Sequence, residues 1–255
     1  MKEMSFTEHL EELRTRMIHV VIILGVAFIV CYGLGDVISD ALLAPLRAAL
    51  GKTGKVVYLG LLDKVLSQFQ VAFWSSVILS SPLWFREVWL FLRPALYAKE
   101  QKVIMPFMLA GFFFFVAGIS FGYFIVFPFT FETLMGFGVQ NIDATISLKE
   151  YLLLTSKVLV FLGLLFQLPN VMLILGFMEI VTKQYLKSIR NYVYVGFAIV
   201  SAVMTPPDVI TMMALWLPLA ALYELGIWAV ALIVHPYLKK KYLPEDIEPE
   251  ESNRT

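Results

Sequence analysis

Six stretches of the chain are apolar enough, and long enough or nearly so, to cross a lipid bilayer. They are about Ile18–Gly35, Phe69–Phe85, Val103–Thr130, Leu152–Phe177, Tyr192–Thr205 and Val209–Val234. A spanning helix needs roughly 20 apolar residues. This pattern predicts an all-α polytopic membrane protein with six transmembrane helices, whose polar residues must be read against lipid rather than water. The chain has 255 residues, 59% of them hydrophobic, and a mean hydropathy of +0.78. Six spans therefore leave only short connections and no room for a large soluble domain.

Orientation follows from the basic residues, which are in excess in cytoplasmic loops. Fourteen of the 20 Lys and Arg fall on one predicted side: in the N-terminal tail, after spans two and four, and in the C-terminal tail. Five fall on the other, and Lys157 lies inside span four. Both termini are thus predicted to be cytoplasmic. The organisation read from this is a cytoplasmic amphipathic helix over 1–17, a six-helix transmembrane domain over 18–235 and a cytoplasmic charged tail over 236–255. Glu3, Glu8, Glu11 and Glu12 crowd the region where a signal peptide carries positive charge, so span one is expected to act as an uncleaved insertion signal.

Several local patterns refine the picture. Ser5 and Glu8 have capping-box spacing, Leu10, Leu13 and Met17 share one helical face, and Glu12 and Arg16 form an i,i+4 pair. The outer segment from Asp36 to about Gln68 reads as short helices broken by Pro45 and by residues 51–54, packed on the bundle or at the interface. Pro128 marks a kink or stop in span three. Thr205-Pro206-Pro207-Asp208 reads as a tight turn. Span five, at about 14 residues, falls short of a roughly 30 Å hydrocarbon core and must thin the bilayer or lean on its neighbours. Residues 245–255 read as a solvated acidic tail.

Catalysis finds no support. Gly33-Leu34-Gly35-Asp36 matches the GxGD string of intramembrane aspartyl proteases, but no second aspartate faces it within a span. His9, His19 and His235 are scattered, and neither HExxH nor GxSxG occurs. The single cysteine, Cys31, supports neither a disulfide nor a zinc cluster. No cofactor or metal pattern is present, and the zero net charge points to no nucleic-acid partner. A small-molecule carrier would be expected to show internal repeats and charges near the midplane. Here no repeat is evident and few charges lie deep.

The polar residues that remain are few. Lys157 either snorkels to the outer interface or serves a function. Gln167 either bonds a neighbouring helix or meets an inserted partner. Glu12 and Glu100 each sit beside a span end on the predicted inner side. Carboxylates hold guanidinium groups in bidentate fashion, so two of them together suit a peptide with adjacent arginines. Equally, Glu12 could pair with Arg16, and Glu100 could lie solvated between Lys99 and Lys102.

Five strings, in order, resemble the TatC family, the multispanning subunit of the twin-arginine protein translocase. They are His9-Leu10-Glu11-Glu12-Leu13-Arg14; Phe91-Leu92-Arg93-Pro94-Ala95-Leu96-Tyr97 with Glu100; Tyr123-Phe124 with Phe127-Pro128; Phe166-Gln167-Leu168-Pro169; and Thr205-Pro206-Pro207-Asp208. The resemblance covers residues 5 to about 235. It implies a receptor and core subunit in the bacterial inner membrane. Such a receptor binds twin-arginine signal peptides and supports export of folded proteins driven by the proton-motive force. Glu12 and Glu100 resemble the acidic pair that holds the twin arginines. Phe91, Pro94, Leu96 and Tyr97 line the same surface, and Arg14 supports the N-terminal helix. Pro45, Tyr123 and Asp208 match outer-side positions of assembly or transport. Gln167 departs from the glutamate of many relatives. The implied partners are single-span subunits of the TatA/TatB type, signal peptides of folded cargo, the lipid bilayer and further copies of the chain. Six helices cannot by themselves enclose a pore for a folded protein.

Overall fold

The computed structural model describes residues 6–50, 55–92, 98–136, 145–204 and 209–242, with backbone only at 6–7, 98–104, 135 and 239–242. Helix α1 (Phe6–Gly33) is continuous, so the predicted amphipathic segment and span one form one rod. Ser5 of the expected capping box, the Thr205–Asp208 turn and the acidic tail lie outside the described residues. After α1 the chain turns into α2 (Gly35–Leu50), which buries Leu42, Leu43 and Leu46. The outer segment thus packs on the bundle, but Pro45 sits inside α2 and does not break it.

Expected span two is two helices. α3 (Asp63–Leu79) ends at Ser80, and α4 (Ser81–Leu92) starts anew. The Ser80 hydroxyl bonds back to the Ser76 carbonyl, and Pro82 has no N–H for a continuing helix. α5 (Ala98–Phe121) passes through a π-turn at Gly122–Val126 into α6 (Phe127–Gly136). The helix therefore neither stops nor breaks at Pro128, where the sequence suggested a kink or stop. The wide turn just upstream lies where a carbonyl loses its usual N–H partner to the proline. α7 (Leu148–Leu165) and α8 (Leu168–Phe177) meet at Phe166-Gln167. The short α9 (Lys183–Ser188) leads into α10 (Arg190–Met204). α11 (Val209–Ala229) crosses a second π-turn, Val230–Val234, into α12 (His235–Tyr242), so the last helix runs past the predicted boundary at 235.

Among the described residues, four helical stretches are long and apolar enough to cross a membrane: Glu8–Gly33, Met105–Leu134, Leu148–Phe177 and Val209–Leu238. The two expected spans missing from this set have plain reasons. Span two is split at Ser80, and α10, with 15 residues, rises only about 22 Å. The all-α expectation also needs one small amendment. β1 (Lys55–Val57) and β2 (Thr145–Ser147) pair in parallel, Val56 opposite Ile146, and staple the segment before α3 to the one before α7.

Helix directions follow from the contacts. Phe28 and Tyr32 near the end of α1 pack on Phe69 near the start of α3, while His9 at the start of α1 stacks on Phe91 at the end of α4. α1 is therefore antiparallel to the α3–α4 path. α5 and α7 approach closely through glycines. A Cβ at Gly118 would stand 2.7 Å from the Leu162 carbonyl oxygen, and one at Gly163 would stand 2.7 Å from the Phe115 ring. Small residues that let backbones meet are the usual means of helix association in lipid, where hydrophobic driving force between helices is absent. Large apolar residues remain exposed on the outside, as Val21, Ile29, Phe113 and Phe124 are, which suits a lipid solvent.

Candidate functional site

One end of the bundle gathers the start of α1, the end of α4 and the start of α5. On α1, Glu12, Arg16 and His19 follow at i, i+4 and i+7 and so share a face. On α4, Glu87 and Phe91 share a face at i,i+4. The Glu87 side chain is only 5% exposed. Arg16 Nη1 donates to Glu87 Oε2 at 3.1 Å, and Arg16 Nη2 donates to Glu12 Oε1 at 3.4 Å. His19 Nδ1 lies 3.4 Å from Glu87 Oε2, and Arg86 Nη1 3.5 Å from Glu87 Oε1. One guanidinium is thus shared by two carboxylates from different helices. Arg16 Nε is buried there without a hydrogen-bond partner among the described residues. Burial pushes the Glu87 carboxyl upward, but the Arg16 and His19 contacts outweigh it and hold the group below the ordinary glutamate value.

The predicted residues distribute unevenly around this corner. Glu12 belongs to it, and Phe91 flanks it through the His9 stack, with ring centroids 4.7 Å apart. Glu100 lies in the first turn of α5, where only the backbone is described. Pro94, Leu96 and Tyr97 lie outside the described residues. Arg14 is exposed on another face of α1, with Leu10, Leu13, Met17 and Ile18 along an open apolar groove of about 480 Å³. Glu87 was missed in the sequence. Its one signal was an acid two residues beyond an apolar run, four residues before Phe91.

Within the membrane, Gln167 stands at the break between α7 and α8. Its Nε2 donates to the Gly111 carbonyl at 2.8 Å, and Asn170 Nδ2 stands 3.5 Å from its Oε1. The amide ties α5 to the α7–α8 junction. Gly111 permits this, since a Cβ there would meet Asn170 Nδ2 at 2.7 Å. Lys157 is exposed on α7, away from this contact.

At the opposite end, two of the positions expected on the outer side meet. Pro45 lacks the N–H that would bond the Ala41 carbonyl four residues back. The Tyr123 hydroxyl donates to that same oxygen at 2.7 Å. Tyr151 donates likewise to the Leu42 carbonyl at 2.7 Å. Close by, Lys149 Nζ lies 3.0 Å from Asp63 Oδ1, and the Gly60 N–H donates to Asp63 Oδ2 at 2.6 Å. The lysine and the backbone N–H hold the Asp63 carboxyl below its ordinary value. Asp208 lies outside the described residues.

Comparison with known proteins agrees with this architecture. The TatC family profile, described as Sec-independent protein translocase protein (TatC), matches residues 8–218. The Sec-independent protein translocase protein TatC of Desulforapulum autotrophicum is 41% identical over 222 residues, covering 87% of this chain and 82% of that protein. That of Helicobacter pylori strain J99 is 33% identical over 245 residues, covering 96% and 93%. A crystal structure of the twin arginine translocase receptor TatC superposes with a TM-score of 0.79 at 28% identity, covering 88% of this chain and 99% of that one. The chain belongs to the TatC family, multi-pass membrane components of Sec-independent protein transport that are not enzymes.

Proposed function

We propose that this chain is the receptor and core subunit of a twin-arginine translocase in the bacterial inner membrane. It crosses six times with both termini in the cytoplasm, binds twin-arginine signal peptides and supports export of folded proteins driven by the proton-motive force. α1 reverses direction into α3–α4, and the start of α10 meets the end of α11 through Arg190, Tyr194 and Glu224, so these pairs run antiparallel. Both support six crossings, as does the bias of Lys and Arg to one end.

The observation that carries the signal-reading role is the shared guanidinium. Glu12 and Glu87 close on Arg16 from two helices at the inner end of the bundle, and Glu100 lies in the first turn of the next helix, α5. This is chemistry suited to an arginine side chain, with Arg16 as the internal occupant. An incoming signal arginine takes over part of that contact, Glu12 and Glu100 hold the pair, and Phe91, Pro94, Leu96 and Tyr97 bound the surface. The apolar half of the signal then lies along the exposed face of α1. The test is binding of twin-arginine and twin-lysine peptides to the purified chain. Glu12→Gln and Glu100→Gln should each weaken the twin-arginine peptide more than the twin-lysine one, because only guanidinium is held bidentately. Equal losses for both peptides would overturn the reading.

Partner subunits of the TatA/TatB type supply single helices. Val195, Ile199 and Val203 form an exposed stripe at i,i+4 spacing on the short α10, with exposures of 61%, 62% and 78%. That stripe is the docking face for such a helix. Further copies of the chain complete the conduit.

A further inference from the structure

A cleft of about 300 Å³ opens between α9, α10 and α11, lined by Lys183, Lys187, Arg190 and Glu224 with an apolar wall of Ile227 and Trp228. Its charges are unbalanced. Glu224 is fully engaged: Arg190 Nη2 donates to Oε2 at 2.8 Å, Arg190 Nε lies 2.8 Å from Oε1, and the Tyr194 hydroxyl donates to Oε1 at 2.6 Å. The acid thus spends itself on Arg190. Lys183 and Lys187 are exposed and form no ion pair with a described residue, which leaves two ammonium groups facing the cleft.

The surroundings say what kind of anion fits. The cleft lies at the end of the bundle that carries the basic excess, where α10 and α11 enter the apolar zone. Trp228 is 63% exposed, and Leu225 and Leu232 beside it on the same helix path are 61% and 67% exposed. An amphipathic indole at the boundary between charged groups and lipid-facing leucines marks headgroup depth. Basic pockets between transmembrane helices on the cytoplasmic side recognise anionic headgroups.

We propose that this cleft binds the phosphate-bearing headgroup of an anionic phospholipid of the inner leaflet. Lys183 and Lys187 take the phosphate, Arg190 is held in place by Glu224, which Tyr194 in turn bonds, and the acyl chains run along Trp228, Leu225 and Leu232. The site is separate from the corner formed by Glu12, Arg16 and Glu87.

The test is native mass spectrometry of the full chain in detergent, titrated with phosphatidylglycerol or phosphatidylcholine of matched acyl chains. The wild-type protein should retain phosphatidylglycerol in preference. Lys183→Gln and Lys187→Gln should each reduce that preference about five-fold. The Lys183→Arg/Lys187→Arg double variant should keep it, which separates charge from folding. A Lys239→Gln/Lys240→Gln/Lys241→Gln variant should also keep it. Equal retention of the two lipids, or a preference lost with the tail lysines instead, overturns the proposal. Glycerol 3-phosphate competing as well as the whole lipid would overturn the lipid assignment in favour of a free phosphate. None of these readouts depends on signal-peptide binding.

Discussion

Tyr123→Phe removes one hydroxyl and little else. That hydroxyl donates to the Ala41 carbonyl, the oxygen whose usual helical donor is missing because residue 45 is proline. A neutral hydrogen bond contributes about 0.5–1.5 kcal/mol net, and a carbonyl left without any partner costs about 1–3 kcal/mol. Ala41 lies at the exposed edge of α2, where water or headgroups offer partial relief, so a loss of about 1–2 kcal/mol is expected. In a Pro45→Ala background the new N–H at 45 serves the same carbonyl, and Tyr123→Phe should cost under about 0.5 kcal/mol. The double-mutant cycle should therefore yield a coupling of about 1 kcal/mol. Thermal unfolding in detergent reads it, at about 2–4 °C per kcal/mol for a chain of this size. Equal destabilisation in the two backgrounds would refute the link between the tyrosine and the missing donor.

Four further outcomes are expected. Arg16→Lys weakens the internal occupant of the Glu12–Glu87 corner, since an ammonium cannot bridge two carboxylates as a fork. Twin-arginine peptide should then bind more tightly in equilibrium titration, and weaker binding would argue that Arg16 organises the corner rather than competing for it. Gly118→Ala drives a Cβ to 2.7 Å from the Leu162 carbonyl and should cost about 1–3 kcal/mol. Gly196→Ala meets nothing within 4 Å and should be neutral or stabilising by up to about 1 kcal/mol, both read as melting shifts. The Asp63 carboxyl is held below its ordinary value, so its link to Lys149 contributes fully above the ordinary aspartate range and is lost as pH falls through the depressed value. Asp63→Asn should flatten that acid limb in a stability-against-pH series, and an unchanged limb would remove the pair from the account.

What could be read from the sequence depended on whether the information was local. The Glu12–Arg16 spacing is a property of one helix, and the pair forms as its spacing indicates. The burial of Glu87 depends on how α4 is rotated after the Ser80 break, and no periodicity of α4 alone reports that. The break itself had a signal, Ser80-Ser81-Pro82, since a proline biases the residue before it away from helix, but the continuous apolar content concealed it. Pro45 misled for the complementary reason. A proline within a helix is a local fault, and its repair comes from Tyr123, 78 positions later in the chain. Gln167 was visible as a polar residue among apolar ones, whereas its Gly111 partner could be found only from the packing of α5 on the α7–α8 junction.

The π-turn at Gly122–Val126 bears on which insertions and deletions this helix can absorb. A regular helix advances about 100° per residue, so deleting one residue from α5 or α6 would swing everything beyond it onto the wrong face. A π-turn already holds one residue more than the α-helical path requires. Losing Phe124 or Ile125, both exposed to the outside, would restore a regular helix while leaving the buried faces of α5 and α6 in phase. The helix thus carries a single-residue reserve at this level, a place where chain length can change by one without re-aiming the packing on either side.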